Sequence, residues 1–227
     1  MIQKRPAGER GKTQFDWLDG RHSFSFGDYE DPAHQNFRSL RVINEDVIAP
    51  GGGFGTHPHR NAEIFTYVIE GAIRHQDSMG NESVIQAGNL QYMSAGSGVR
   101  HSEFNASNEK RAHLLQIWLL PNTSGGEPLY GEKQMDHDAQ KNALTPLFGG
   151  KDFPIRQDAE IAFGRLDAGK SVTLPDSRPF HWIQMIQGEV QVLGETLKNG
   201  DGLAISDEKE ITLRADTFSD FLVFHLS

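Results

Sequence analysis

From Leu40 onward the chain is a succession of short runs rich in β-branched and aromatic residues: "SLRVINEDVI", "EIFTYVIEGAIRHQDS", "LQYMSAG", "HLLQIWLLP", "HWIQMIQGEVQVLG", "DGLAISD", "EITLRA" and "DFLVFHLS". Each is bounded by Gly, Asp, Asn or Pro, the pattern of strands separated by turns. Stretches with the period of an amphipathic helix are scarce. The chain is therefore restricted to an all-β fold, a sandwich or a barrel built of many short strands. The 24 glycines supply the turns that such a fold needs.

An internal echo narrows the choice. "YVIEGAI" at 67–73 and "QMIQGEV" at 184–190 share a strand-Gly-strand form, and each is followed by a glycine-led strand, "AGNLQYMSA" and "NGDGLAISD". Self-similarity of this kind is the mark of a duplicated unit, and 227 residues accommodate two domains of about 110 each. The segment 121–142, "PNTSGGEPLYGEKQMDHDAQKN", is polar, Gly-rich and poor in strand formers, which reads as a linker or a lid. The expected partition is an N-terminal domain, 1–140, that includes part of this linker, and a C-terminal domain, 141–227.

Composition limits the chemistry. The chain has no cysteine, which excludes disulfides, thiolate metal sites and cysteine nucleophiles. Any metal must be held by His and carboxylate. A formal charge of -9 argues against a broad nucleic-acid surface. The N-terminal "MIQKRPAGERGKTQF" has basic residues but no apolar stretch after them, and no run of about 18 apolar residues occurs anywhere. A cytoplasmic, unprocessed protein without membrane contact is expected.

Against that background one pair of residues stands out. His57 and His59, in "FGTHPHRNAEIF", are two apart, and on a strand residues of period two share a face, so both imidazoles can reach one ion. With ten histidines, a shuffled chain of this length would contain roughly 0.4 H-x-H pairs, so the pair alone proves nothing. Context lifts it: "SAGSGVRHSEFN" repeats the spacing with His101 and Glu103, again after a glycine-rich turn and in the same proposed domain. Parity leaves the carboxylate open, because Glu63 and Glu103 are each an even number of residues from a histidine of their own segment.

"GGGFGTHPHRNAE" with Gly71 resembles the first cupin motif, and "GNLQYMSAGSGVRHSEFN" the second. The chain departs from the common pattern in detail. Ser94 stands where many cupins have proline, four residues separate Gly96 from His101, and seven separate Glu63 from Gly71. With "HSFSFGDYEDP" at 22–32, these departures are similar to the pirin branch of the bicupins over nearly the whole chain, most closely to bacterial pirin-like quercetin dioxygenases. The resemblance implies a bicupin, two antiparallel β-barrels of the double-stranded β-helix or jelly-roll type packed face to face. It also implies that His57, His59, His101 and Glu103 bind the metal, with Glu63 outside the ligand set.

Three neutral imidazoles and one carboxylate leave a divalent ion with a net charge of about +1, and an octahedral ion so held keeps two open positions. Tetrahedral zinc held by all four would be closed, as in a structural site. The expected cofactor is one divalent ion, iron first, with zinc, nickel, cobalt, manganese and copper as alternatives. The activity implied by resemblance is ring opening of a flavonol-type aromatic by O₂ with release of carbon monoxide, with Glu103 also acting as general base. The partners are then a small aromatic substrate and O₂, in a monomer. The competing reading is a non-catalytic metal-binding regulator that contacts another protein.

Candidates for the substrate pocket are Phe54, His75, Met93 and His113, with Phe65, Phe104 and Trp118 as further apolar wall. His75 and His113 lie on strand-like runs, where a histidine also simply packs or orients a ligand imidazole. His22 is expected to be structural. Around "MIQGEVQVLG" and "DGLAISD" there is no H-x-H or H-x-E, only His181 upstream, so the second copy should lack this kind of metal site.

Overall fold

In the computed structural model, which describes residues 1–148 and 154–227, regular structure is strand apart from one short 3-10 turn, Ala7–Glu9. The chain divides into two compact units: Gly11–Met135 with Ile155–Gln157, and Met1–Arg10 with Asp136–Pro154 and Asp158–Ser227. Each unit has the same plan, one larger antiparallel sheet and one of four strands.

In the first unit the larger sheet has seven strands, in the order Leu129–Lys133, Leu90–Ser94, Glu63–Glu70, Ala112–Leu119, Leu40–Ile48, Leu18–His22 and Gly11–Phe15. Its smaller sheet runs Gly53–His59, Val99–Asn105, Ala72–Asp77, Glu82–Gln86. The chain passes from the large to the small sheet at Gly71, whose φ of 76° favours glycine and where a Cβ would come within 3.1 Å of Ala112 Cα.

The second unit repeats this corner at Gly188, with φ 90°. Its larger sheet is ordered Ile2–Arg5, Gly202–Ser206, Phe180–Gln187, Ser219–Leu226, Ala159–Leu166, Ala143–Phe148. The smaller one is ordered Ser171–Thr173, Thr212–Ala215, Val190–Val192, Glu195–Leu197. The glycine echo in the sequence is thus a duplicated sheet-to-sheet corner.

Two segments differ from expectation. Residues 1–10, placed in the N-terminal domain by the sequence partition, cluster with the C-terminal unit, because Ile2–Arg5 pairs along Gly202–Ser206 and Lys4 Nζ reaches Thr196 O at 2.6 Å and Asp201 at 2.9 Å. Within the presumed linker, Leu129–Lys133 is an edge strand of the seven-stranded sheet, paired with Leu90–Ser94. Its short apolar content, Leu129 and Tyr130, was outweighed in the sequence by the glycines and charges around it.

In the second unit an apolar cluster includes Ile183, Met185, Leu203, Ile205, Phe221 and Val223. In the first, apolar clusters form around Ile48, Val68, Ile73 and Leu114 and around Ile64, Met93 and Val99. A buried polar row crosses the seven-stranded sheet in register: His22 opposite Asn44, Asn44 opposite Gln116, Gln116 opposite Thr66, Thr66 opposite Gln91. Burying so many polar groups is costly unless they are satisfied or used.

Candidate metal centre

The strand Gly53–His59 is the edge of the four-stranded sheet, where it pairs with Val99–Asn105. In that ladder His57 lies directly opposite His101 and His59 opposite Val99, with a bulge between His101 and Glu103. Bulges re-aim side chains beside functional sites. Gly53 permits the close crossing of the two strands, since a Cβ there would meet the Glu103 carbonyl and lie 2.5 Å from Phe104 Cα.

The imidazoles converge. His57 Nε2 is 3.1 Å from His101 Nε2, and the ligating atoms of His57, His59 and His101 all lie within 4.8 Å of one another. His57 Nδ1 faces the Gly55 carbonyl at 2.8 Å, so it carries the ring proton and leaves the Nε2 lone pair free for an ion. Two nitrogens each about 2.1 Å from one ion and at a right angle stand about 3 Å apart, so the spacing fits shared coordination.

Burial, followed by the charges of neighbouring histidines, pulls the His59 pKa down to about 4 and that of His101 down to about 3. Both are therefore neutral, the ligating form, at ordinary pH. The donor set is one that suits a borderline divalent transition ion.

Glu103 forms a second group of potential ligands with His75 and His101, also within 4.8 Å, so the two groups share His101. Its carboxylate is held from both sides: Thr66 Oγ1 donates to Oε1 at 3.0 Å, and Gln116 Nε2 donates to Oε2 at 2.8 Å. These donors belong to the buried polar row. Gln91, at the end of that row, donates to His75 Nδ1 at 2.8 Å, and the His75 ring packs 5.3 Å from that of His101. The row thus steadies Glu103 directly and His101 through His75.

Glu63 is engaged elsewhere. Tyr92 Oη donates to its Oε2 at 2.5 Å and Ser94 Oγ to its Oε1 at 2.7 Å. Burial and the bond to Glu63 hold the Tyr92 phenol in its protonated form, well above its usual pKa.

Beside the histidines opens a cavity of about 510 Å³, to which His57, His59 and Glu103 all contribute. Trp17, Phe26, Phe54 and Trp118 give it an aromatic wall, with Phe54 edge-on to Trp17 at 5.0 Å and Trp118 edge-on to His59 at 4.8 Å. Of the residues expected to line a substrate pocket, Phe54 does so. The other three do not border this cavity. His75 is fully buried between Gln91 and Asp77, Met93 packs in the apolar group with Ile64 and Val99, and His113 is paired with Glu45 at 2.9 Å. Phe65 is likewise turned away, stacked on Tyr92, whereas Trp118 faces the cavity.

The cavity also has polar lining that sequence reasoning missed. His22 is bonded to Thr13 and to Asn44, each at 2.8 Å, and Asp46 stands two residues beyond Asn44 on the same strand. Burial first, then the charges of Glu103, Glu45 and Asp19, pushes the Asp46 carboxyl up to about 7. The signal was present as N-x-D inside the otherwise apolar "RVINEDVI", but one strand read alone gives such residues no common purpose.

In the second unit His181 and His225 come together, Nδ1 to Nδ1 at 2.9 Å. Among the described residues neither belongs to a cluster of three or more potential ligands.

Comparison with known proteins places these features in a lineage. The family model described as Pirin matches residues 4–119, and one described as a quercetinase C-terminal cupin domain matches 149–226. A protein of Escherichia coli K12 named quercetin 2,3-dioxygenase is 45% identical over 100% of this chain and 99% of its own length. The crystal structure of YhhW from Escherichia coli superposes with a TM-score of 0.96 at 43% identity, covering 100% of this chain and 98% of that one. Bacterial pirin YhhW in complex with nickel(II) gives 0.94 at 42% identity, with 100% and 99% coverage.

Proposed function

This chain belongs to the pirin family, with two cupin domains, and from that membership and its histidine cluster we propose that it is a metal-dependent dioxygenase that opens the ring of a flavonol-type aromatic. The observation that carries the reading is the clustering of three imidazoles, two of which border an aromatic-walled cavity together with a doubly held carboxylate, Glu103. A largely apolar pocket with a few fixed polar groups suits a flat aromatic ligand.

His57, His59, His101 and Glu103 are assigned as the residues that hold the ion. Iron is the first choice for oxygen chemistry, and nickel is the ion in the related structure. When bound, the ion supplies Lewis-acid polarisation of the substrate's enol oxygen and the redox access to O₂ that ring opening requires. The chain's own residues do the rest. Glu103 accepts the enol proton, a role for which its carboxylate is oriented by Thr66 and Gln116. Trp17, Phe54 and Trp118 exclude water and hold the ring plane. In the overall reaction O₂ is consumed, the ring opens, and one carbon leaves as carbon monoxide.

The test is aerobic incubation of quercetin with protein loaded in turn with iron, nickel, cobalt, manganese, copper and zinc. Loss of visible absorbance and release of carbon monoxide are expected with at least one metal. No turnover with any of them overturns the assignment and leaves metal-dependent binding as the function of the site.

A further inference from the structure

Asp46 is only 4% exposed, yet none of the described residues donates a hydrogen bond to its carboxyl group. It reaches the cavity from the seven-stranded sheet, whereas His57, His59 and Glu103 enter from the four-stranded one. A buried carboxyl without a partner calls for an explanation. The fold also makes room for it: Gly20 lies opposite Asp46 in the ladder, and a Cβ there would stand 2.9 Å from Asp46 Oδ1. Next to it, Asn44 spends its Oδ1 on His22 Nδ1, and among the described residues no acceptor is bonded to its Nδ2. Thr13 holds the far side of His22 at 2.8 Å, so the Asn44 amide has a fixed orientation. The cavity is therefore furnished, on the sheet opposite His57 and His59, with one oriented amide N–H₂ group and one carboxyl that have no hydrogen-bond partner among the described residues.

We propose that Asp46, with Asn44 beside it, binds a hydroxyl group of the substrate other than the oxygen that meets the metal, so that the site selects polyhydroxylated aromatics. A hydroxyl supplies both the donor that Asp46 lacks and an acceptor for the Asn44 amide. A site built to bond a hydroxyl discriminates strongly against an analogue without it, because its own polar groups are then left unpaired. The identity of the probes rests on the flavonol reading above.

Quercetin, with several hydroxyls, is compared with 3-hydroxyflavone, which has only the enol hydroxyl. Affinities are measured by fluorescence quenching of zinc-loaded protein under nitrogen, and kcat/KM wherever a metal gives turnover. Wild type should prefer quercetin. The preference should fall about tenfold to a hundredfold in Asp46→Leu, the worth of a hydrogen bond to a charged group, and recover in part in Asp46→Asn. Gly20→Ala, which displaces the carboxyl without deleting it, should lower the same ratio. No preference in wild type, or a loss shared equally by both ligands in Asp46→Leu and Gly20→Ala, overturns the proposal. Failure of the dioxygenase reading would register separately, as absence of turnover while the binding preference persists.

Discussion

The histidine pair of the second unit gives that unit a calculable sensitivity to acid. His181 and His225 lie directly opposite each other on neighbouring strands, both buried, with their Nδ1 atoms 2.9 Å apart and their rings edge-on at 5.0 Å. One ring donates and the other accepts, an arrangement that exists only while the accepting ring is neutral. Burial first, then the charges of His181 and Arg178, lowers the His225 pKa from 6.5 to about 4, and burial lowers that of His181 as well. The unfolded chain thus takes up a proton near pH 6.5 that the folded chain refuses until near pH 4. The stabilisation is complete above 6.5 and is lost as pH falls through that window. For His225 alone the loss relative to neutral pH is about 2 kcal/mol at pH 5, approaching about 3 kcal/mol at the lower limit. Amide exchange on Phe180–Gln187 and Ser219–Leu226, corrected for its intrinsic pH dependence, should therefore accelerate about thirtyfold between pH 7.5 and 5. In a His181→Leu, His225→Leu double variant, which removes both titrating groups at once, the dependence should largely disappear. A flat profile in wild type, or an equal slope in the double variant, would refute the reasoning.

Two further predictions concern the first unit. Glu103→Ala should release the metal, whereas Glu63→Ala should retain it and cost about 1–3 kcal/mol of stability by leaving the buried hydroxyls of Tyr92 and Ser94 without their acceptor; metal content after dialysis and thermal melting separate the two, and the reverse result would exchange the roles of the carboxylates. Gly53→Ala alters no ligand side chain, but its Cβ would press on Phe104 Cα and the Glu103 backbone carbonyl where the two ligand-bearing strands cross. Overpacking of that kind costs about 1–3 kcal/mol, so metal affinity measured by chelator competition should weaken about tenfold or more, and an unchanged affinity would show that the strands are not held at that point.

The strands and the histidine pairing were legible in the sequence because both depend on local periodicity. Alternation along "GFGTHPH" and "VRHSEFN" is enough to put His57 with His59 and His101 with Glu103, and Gly71 and Gly188 mark the duplicated corner. The side chains that give the site its character depend instead on register between distant strands. Gly71 and Gly188 anchor an equivalence between the units in which Thr66 corresponds to Ile183, and following the ladders outward from that pair sets Gln91 against Leu203, Gln116 against Val223 and Asn44 against Ala162. The same row of positions is polar in the unit that carries His57, His59 and His101 and apolar in the other. Each polar member looks in its own segment like an isolated flaw in a hydrophobic strand: Thr66 in "EIFTYVIE", Gln116 in "AHLLQIWL", Asn44 in "LRVINEDVI". Stability alone would favour the apolar version of the row, because buried polar groups at best break even against well-packed hydrophobic ones. The first unit keeps the polar version in the very residues that hold Glu103, fix His75 against His101 and line the cavity. The cost of burying them is intelligible as the requirement of an oriented site, and the second unit, free of that requirement, has filled the same row with Leu203, Ile183, Val223 and Ala162.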